Sequence, residues 1–253
     1  MEDTRIYTAC VLDTETGGLS PDKCALTQIS CQMVRLDTYD VIGTFDKYVK
    51  PYTKNDFTTK PAKTLRKKKE VEADETSYFE YQEKAMSVTG LTKEFLMANG
   101  EDINDVVSQF VSFMNTPFVQ DAKIEKPILV GQNVLFDWAF LQHAFLYCDR
   151  LKDLDNIFIV KKDLFENSIP VFVDTLYMAK IAFANDTELI SYKLENIASY
   201  LKVELVDAHS SMADVESSNN IFTLLANRMR NGMEEDASKI IKTAEKTRKH
   251  FKL

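Results

Sequence analysis

Apolar residues recur along this chain with two different periods. From Ile6 to Leu12 they form a nearly continuous run, which suits a buried strand. Leu26 to Leu36 (LTQISCQMVRL) alternates loosely and predicts a second strand, and Val41 to Val49 predicts a third. The links between the three are short, so an antiparallel meander is expected. Lys126 to Gly131 (KPILVG) predicts another short buried strand. Elsewhere the period lengthens to that of a helix. In INDVVSQFVSFM, Ile103, Val106, Val107, Phe110, Phe113 and Met114 share one face. NVLFDWAFLQHAFLY predicts a helix with Asn133 as its N-cap and Phe136, Phe140 and Tyr147 turned inward. VFVDTLYMAKIAF reads as a short strand, a turn at Asp174 and a helix. SYKLENIASYL reads as a helix capped by Ser191, and SSMADVESSNNIFTLLANRM as one starting near Ser211. A last helix is expected from about Glu234 to Phe251. Strands first, then helices and further strands, predict one α/β domain with a mixed sheet.

Composition narrows the class. Apolar residues make up 45% and charged residues 28%, as in an ordinary soluble globular chain. No run approaches the roughly 20 apolar residues of a membrane helix, so no membrane partner is expected. The N-terminus has no basic region followed by an apolar run, so no secretory signal is expected. Cys10, Cys24, Cys31 and Cys148 form no CxxC pair and lie in apolar surroundings. They are expected to be reduced core residues of a cytoplasmic protein. The net charge of −8 argues against a histone-like, non-specific nucleic-acid binder, but not against an enzyme that grips nucleic acid locally. Charge is uneven: Lys54 to Lys69 holds seven Lys or Arg against one Asp, within a polar insertion over Lys50 to Ala73. Such a run is either a solvated loop or an arm for phosphates.

Candidate chemistry begins at VLDTETGGL, where Asp13 and Glu15 follow the first apolar run. Residues i and i+2 of a strand point to one face, so two carboxylates stand side by side. Like charges this close repel unless a cation neutralises them. Gly17 and Gly18 follow and allow a turn and a close approach. Asp137 comes in the first turn of the helix after ILVG, so it too follows the C-terminal end of a buried strand. His209 and Asp214 are five apart in HSSMAD. There, His209 suits a loop-borne base beside a helix-borne acid. Ser211-x-x-Asp214 also fits a capping box. His143 and His250 lack acidic company and read as structural.

In this order, Asp13-x-Glu15, Asp137 and His209-x4-Asp214 resemble the DEDDh (DnaQ-like) family of 3′-to-5′ exonucleases, which includes proofreading subunits of replicative DNA polymerases. DTETGGL, NVLFD and HSSMAD resemble its three motifs, and VTGLTKEFL, VDTLYMAK and YKLENIASYL resemble family segments between them. The resemblance implies a ribonuclease H-like fold: a five-stranded mixed sheet, first three strands antiparallel, with helices on both faces. It implies an exonuclease domain over residues 1–230 with a basic insertion near 50–75, and a helical extension over 231–253. It implies that Asp13, Glu15, Asp137 and Asp214 hold two Mg²⁺ or Mn²⁺ ions and that His209 is the general base. Oxygen-only ligands suit hard cations, and the lack of a Cys/His cluster argues against zinc. Thr14, Thr16, Gly17, Leu19, Asn133 and Phe136 are implied to bind the terminal nucleotide, Leu19 as a wedge against its base. The partner implied is a single-stranded 3′ end, DNA ahead of RNA, with a separate polymerase as a further partner. An RNA exonuclease and an inactive binding module on the same fold stay open. The basic insertion, the helix beyond Arg230 and Gln132, where some relatives have histidine, depart from the pattern.

Overall fold

The computed structural model describes residues 5–54, 78–120, 122–203 and 210–232. A short β1 (Arg5–Ile6) precedes β2 (Thr8–Thr16), β3 (Leu26–Arg35) and β4 (Val41–Tyr48). Helices α1 (Glu83–Thr89), α2 (Lys93–Asn99) and α3 (Ile103–Met114) follow, then β5 (Lys123–Ile124), β6 (Ile128–Gly131), α4 (Leu135–Tyr147) and α5 (Leu151–Ile157). A hairpin of β7 (Val160–Lys162) and β8 (Ser168–Pro170) leads into β9 (Phe172–Asp174), α6 (Thr175–Ala182), α7 (Leu194–Leu201) and α8 (Ser211–Gly232).

The main sheet has five strands in the order β4-β3-β2-β6-β9. β2, β3 and β4 pair antiparallel, as the short links predict. β6 pairs parallel to β2, and β9 parallel to β6. β2 is therefore central and buried on both faces. Its pleat divides the core. Cys10 and Leu12 face a cluster that includes Val106, Phe110, Phe140 and Phe145 of α3 and α4. Ala9 and Val11 face Val215, Phe222 and Ala226 of α8. Gly131 ends β6 where it passes β2: a Cβ there would lie 2.6 Å from the Leu12 carbonyl oxygen. Cys10, Cys24 and Cys31 are buried and Cys148 is half-buried, all four as free thiols. No described helix is long and apolar enough to cross a membrane.

Several expectations need correction. The first strand does not stop at Leu12 but runs on through both acids to Thr16. Asn133 is not the N-cap of α4. It takes a left-handed conformation (φ 56°) in the tight reversal after β6, and Val134 stands at the cap without a side-chain bond. Asparagine tolerates that region better than most residues. Ser191 does not cap α7 either; Lys193 does, and Ser191 Oγ accepts a bond from its N–H. The apolar pattern does not predict helices α1, α2 and α5 or the β7–β8 hairpin. α1 buries no residue, so it leaves no apolar stripe to read. Residues 55–77 and 233–253 lie outside the described residues, and with them most of the basic run and the expected last helix.

Candidate active site

The pleat that sorts the core also sorts the chemistry. Ala9 and Val11 pack under α8, so the next residues of that face, Asp13 and Glu15, come out where α8 begins. The first turn of α8 brings Asp214 to them. Asp13, Glu15 and Asp214 are each half-buried, and one carboxylate oxygen of each lies within 4.8 Å of the others. Ser211 is the first residue of α8, and its hydroxyl donates to the Asp13 carbonyl oxygen at 3.0 Å. This bond ties the start of the helix to the strand that carries the acids.

Asp137 approaches from the opposite layer. It is buried in the first turn of α4, and its Oδ1 accepts from the Thr14 N–H at 3.0 Å and the Thr14 hydroxyl at 2.7 Å. Thr14 thus uses the other side of β2 to fix the acid of α4. Asp174, for which the sequence predicts only a turn, is buried at the end of β9. Its Oδ1 accepts from both Asn133 N–H and Leu176 N–H, so it holds the reversal into α4 and starts α6.

The acids strain against one another. Burial pushes the Asp13 carboxyl well above its usual range, and Asp137, Glu15 and Asp214 add to this while Ser211 opposes it. Glu15 is pushed to about 8 by burial, then by Asp214 and Asp137. Burial pushes Asp137 to about 7, against the bonds from Thr14. A carboxyl with its folded value above its unfolded one holds more protons in the folded state, so stability falls as pH rises between the two. For Glu15 that window runs from 4.5 to about 8. In EDTA the melting temperature is therefore expected to fall between pH 5 and pH 8, by about 2–4 °C for each kcal/mol lost. Added Mg²⁺ should raise it more at pH 8 than at pH 6, because the cation takes the ionised acids. Thermal scans check this; a melting temperature that climbs with pH in EDTA would contradict the electrostatics.

Beside Glu15 opens a pocket of about 340 Å³, at the lower end of the size range of small-ligand sites. Thr14, Thr16, Gly18, Leu19 and Phe136 line it, with Lys84 and Val88 of α1 opposite. Leu19 is 81% exposed at its mouth. Phe136 both lines the pocket and packs on Phe140. Gly17 and Asn133 are not among the lining residues. Gly17 is required by the chain itself: a Cβ would lie 2.3 Å from the Glu80 carbonyl oxygen. His209 lies outside the described residues.

No family model matches the chain. A stretch of 61 residues is 39% identical to the 3′-5′ DNA exonuclease Cap18 of Escherichia coli, over 24% of this chain and 31% of that one. Among solved structures, E. coli Exonuclease I in complex with a dT13 oligonucleotide matches 90% of the chain with a TM-score of 0.60 and 22% identity. The match covers 43% of that protein. The fold is that of Exonuclease I. A zinc-bound Exonuclease I–single-stranded DNA complex matches 88% of the chain and 41% of its own, again with a TM-score of 0.60 and 22% identity. The chain spans less than half the length of these exonucleases and about a third of Cap18. On this exonuclease fold, three of the four acids form the close group, and the fourth, Asp137, stands behind them on Thr14.

Proposed function

We propose that the chain is a metal-dependent 3′-to-5′ exonuclease that releases nucleoside 5′-monophosphates from single-stranded DNA ends. One observation carries the reading: three mutually repelling carboxylates at the end of the central strand, beside a nucleotide-sized pocket. Asp13, Glu15 and Asp214, with Asp137, are the residues that would hold Mg²⁺ or Mn²⁺, two ions per site. Their all-oxygen donor set and raised carboxyl values fit such cations. Bound divalent ions supply an acidified water and charge to stabilise the phosphate in the transition state.

The protein's own groups do the rest. His209 takes a proton from the attacking water and is the general base. Leu19 and Phe136 hold the terminal base, and Thr14 keeps Asp137 in place. DNA is favoured over RNA because Cap18 is a DNA exonuclease and the fold's neighbour binds a deoxythymidine oligonucleotide. A role in proofreading or repair beside a separate polymerase, in a reducing cytoplasm, completes the reading.

The test is degradation of end-labelled single-stranded DNA and RNA of one sequence, with Mg²⁺ and with EDTA. A 3′ ladder on DNA with mononucleotide product, stopped by EDTA, is expected. Faster loss of RNA would favour the RNA enzyme, and inertness on both would favour a binding module. Within this reading, Phe136→Ala is expected to raise KM by on the order of 10-fold, since base stacking on an aromatic ring is worth about 1–3 kcal/mol. Leu19→Ala should act in the same direction with no loss of stability, because its side chain is exposed. Steady-state kinetics on oligonucleotides check both; unchanged KM in the two variants would remove the pocket from the substrate path.

A further inference from the structure

Two exposed apolar features take no part in the proposed site. The first is the tip of the β7–β8 hairpin, where Leu164 is 97% and Phe165 83% exposed. This tip is built, not loose. The Asp163 carboxylate accepts from Phe165 N–H and Asn167 N–H at 2.8 Å, and from Asn167 Nδ2 at 3.0 Å. The base of the hairpin is pinned as well. Lys162 Nζ bonds Asp155 at 2.5 Å and Ser168 Oγ at 2.6 Å. The Ser168 carbonyl oxygen accepts from Trp138 Nε1 and Gln142 Nε2 of α4. A leucine and a phenylalanine are thereby held out in water on a preorganised support, which lowers the ordering cost of docking them.

The second feature is a groove of about 270 Å³ between α6 and α8. Its walls are Met178, Ile181, Ala182, Leu225 and Met229, with Arg228 as its charged member. Ile181 is 83% and Met229 58% exposed. Lone exposed apolar residues are ordinary, but an apolar groove and a rigid apolar knob on one molecule are not.

We propose that the hairpin tip of one copy seats Leu164 and Phe165 in the α6–α8 groove of a second copy. The charges fit. Asp163 and Glu166 flank the tip, while Arg228 lines the groove and Lys180 precedes Ile181. Tip and groove are different surfaces, so the contact is heterologous.

Mixing complementary variants of the full chain tests this by light scattering and sedimentation velocity. Wild-type mass is expected to rise with concentration above that of one chain. The tip variant Leu164→Ser/Phe165→Ser and the groove variant Ile181→Asp should each stay monomeric. Their equimolar mixture should form dimers, because one retains the groove and the other the tip. All these side chains are exposed, so circular dichroism and nuclease activity should match wild type. The proposal is overturned if wild type stays monomeric at its highest soluble concentration, if either variant associates like wild type, or if the mixture does not pair. Loss of oligonucleotide binding in the tip variant alone would assign the tip to nucleic acid and overturn it too.

Discussion

Asp13→Ala or Asp214→Ala protein, supplied with Mg²⁺ and a labelled oligonucleotide, is expected to release nucleotides at least about 10³-fold more slowly than wild type. Each acid belongs to the group whose oxygens lie within 4.8 Å of one another. On the proposed reading, removing either leaves too few ligands to hold the two cations against a phosphate. The fold should survive, because these side chains are half-buried at the strand's end and not part of the packed core. Stability without metal should be unchanged or higher. The acids raise each other's proton affinity, and deleting one relieves that repulsion. Thermal scans in EDTA and turnover on DNA read the two effects separately. Wild-type turnover by either variant would sink the metal assignment.

His209→Ala is expected to lose on the order of 10²–10⁴ in rate, the usual share of a general base. Mg²⁺ binding should persist, read as an unchanged shift in melting temperature on adding the cation. In sequence His209 stands two residues before Ser211, whose hydroxyl anchors the start of α8 to the Asp13 strand. The wild-type rate should fall as pH drops below about 6.5, where imidazole becomes charged and can no longer accept the proton. A variant with wild-type rate and pH profile would show that another group is the base.

Periodicity foretold the elements that bury a face. The meander, β6, α3 and α4 each present a row of apolar residues to the core, so their sequences carry the pattern. α1 buries nothing, yet it walls the pocket with Lys84 and Val88, and no pattern announces it. The DxE pair was legible because strand geometry alone puts Asp13 and Glu15 on one face. The Thr14–Asp137 contact was not, since it joins residues 123 apart through side chains on the reverse of that face. Asn133 reads as a local cap, but its left-handed backbone, whose N–H donates to Asp174, belongs to the reversal after β6.

β2 alternates two jobs residue by residue: odd positions carry Asp13 and Glu15 toward α8, and even positions carry Thr14 toward Asp137. Deleting one residue between Thr8 and Leu12 would barely change the strand's composition or hydrophobicity. It would exchange its faces, turning the acids into the α3–α4 layer and Thr14 toward α8. Over evolutionary time, then, the length of β2 is constrained more tightly than the identity of its apolar residues.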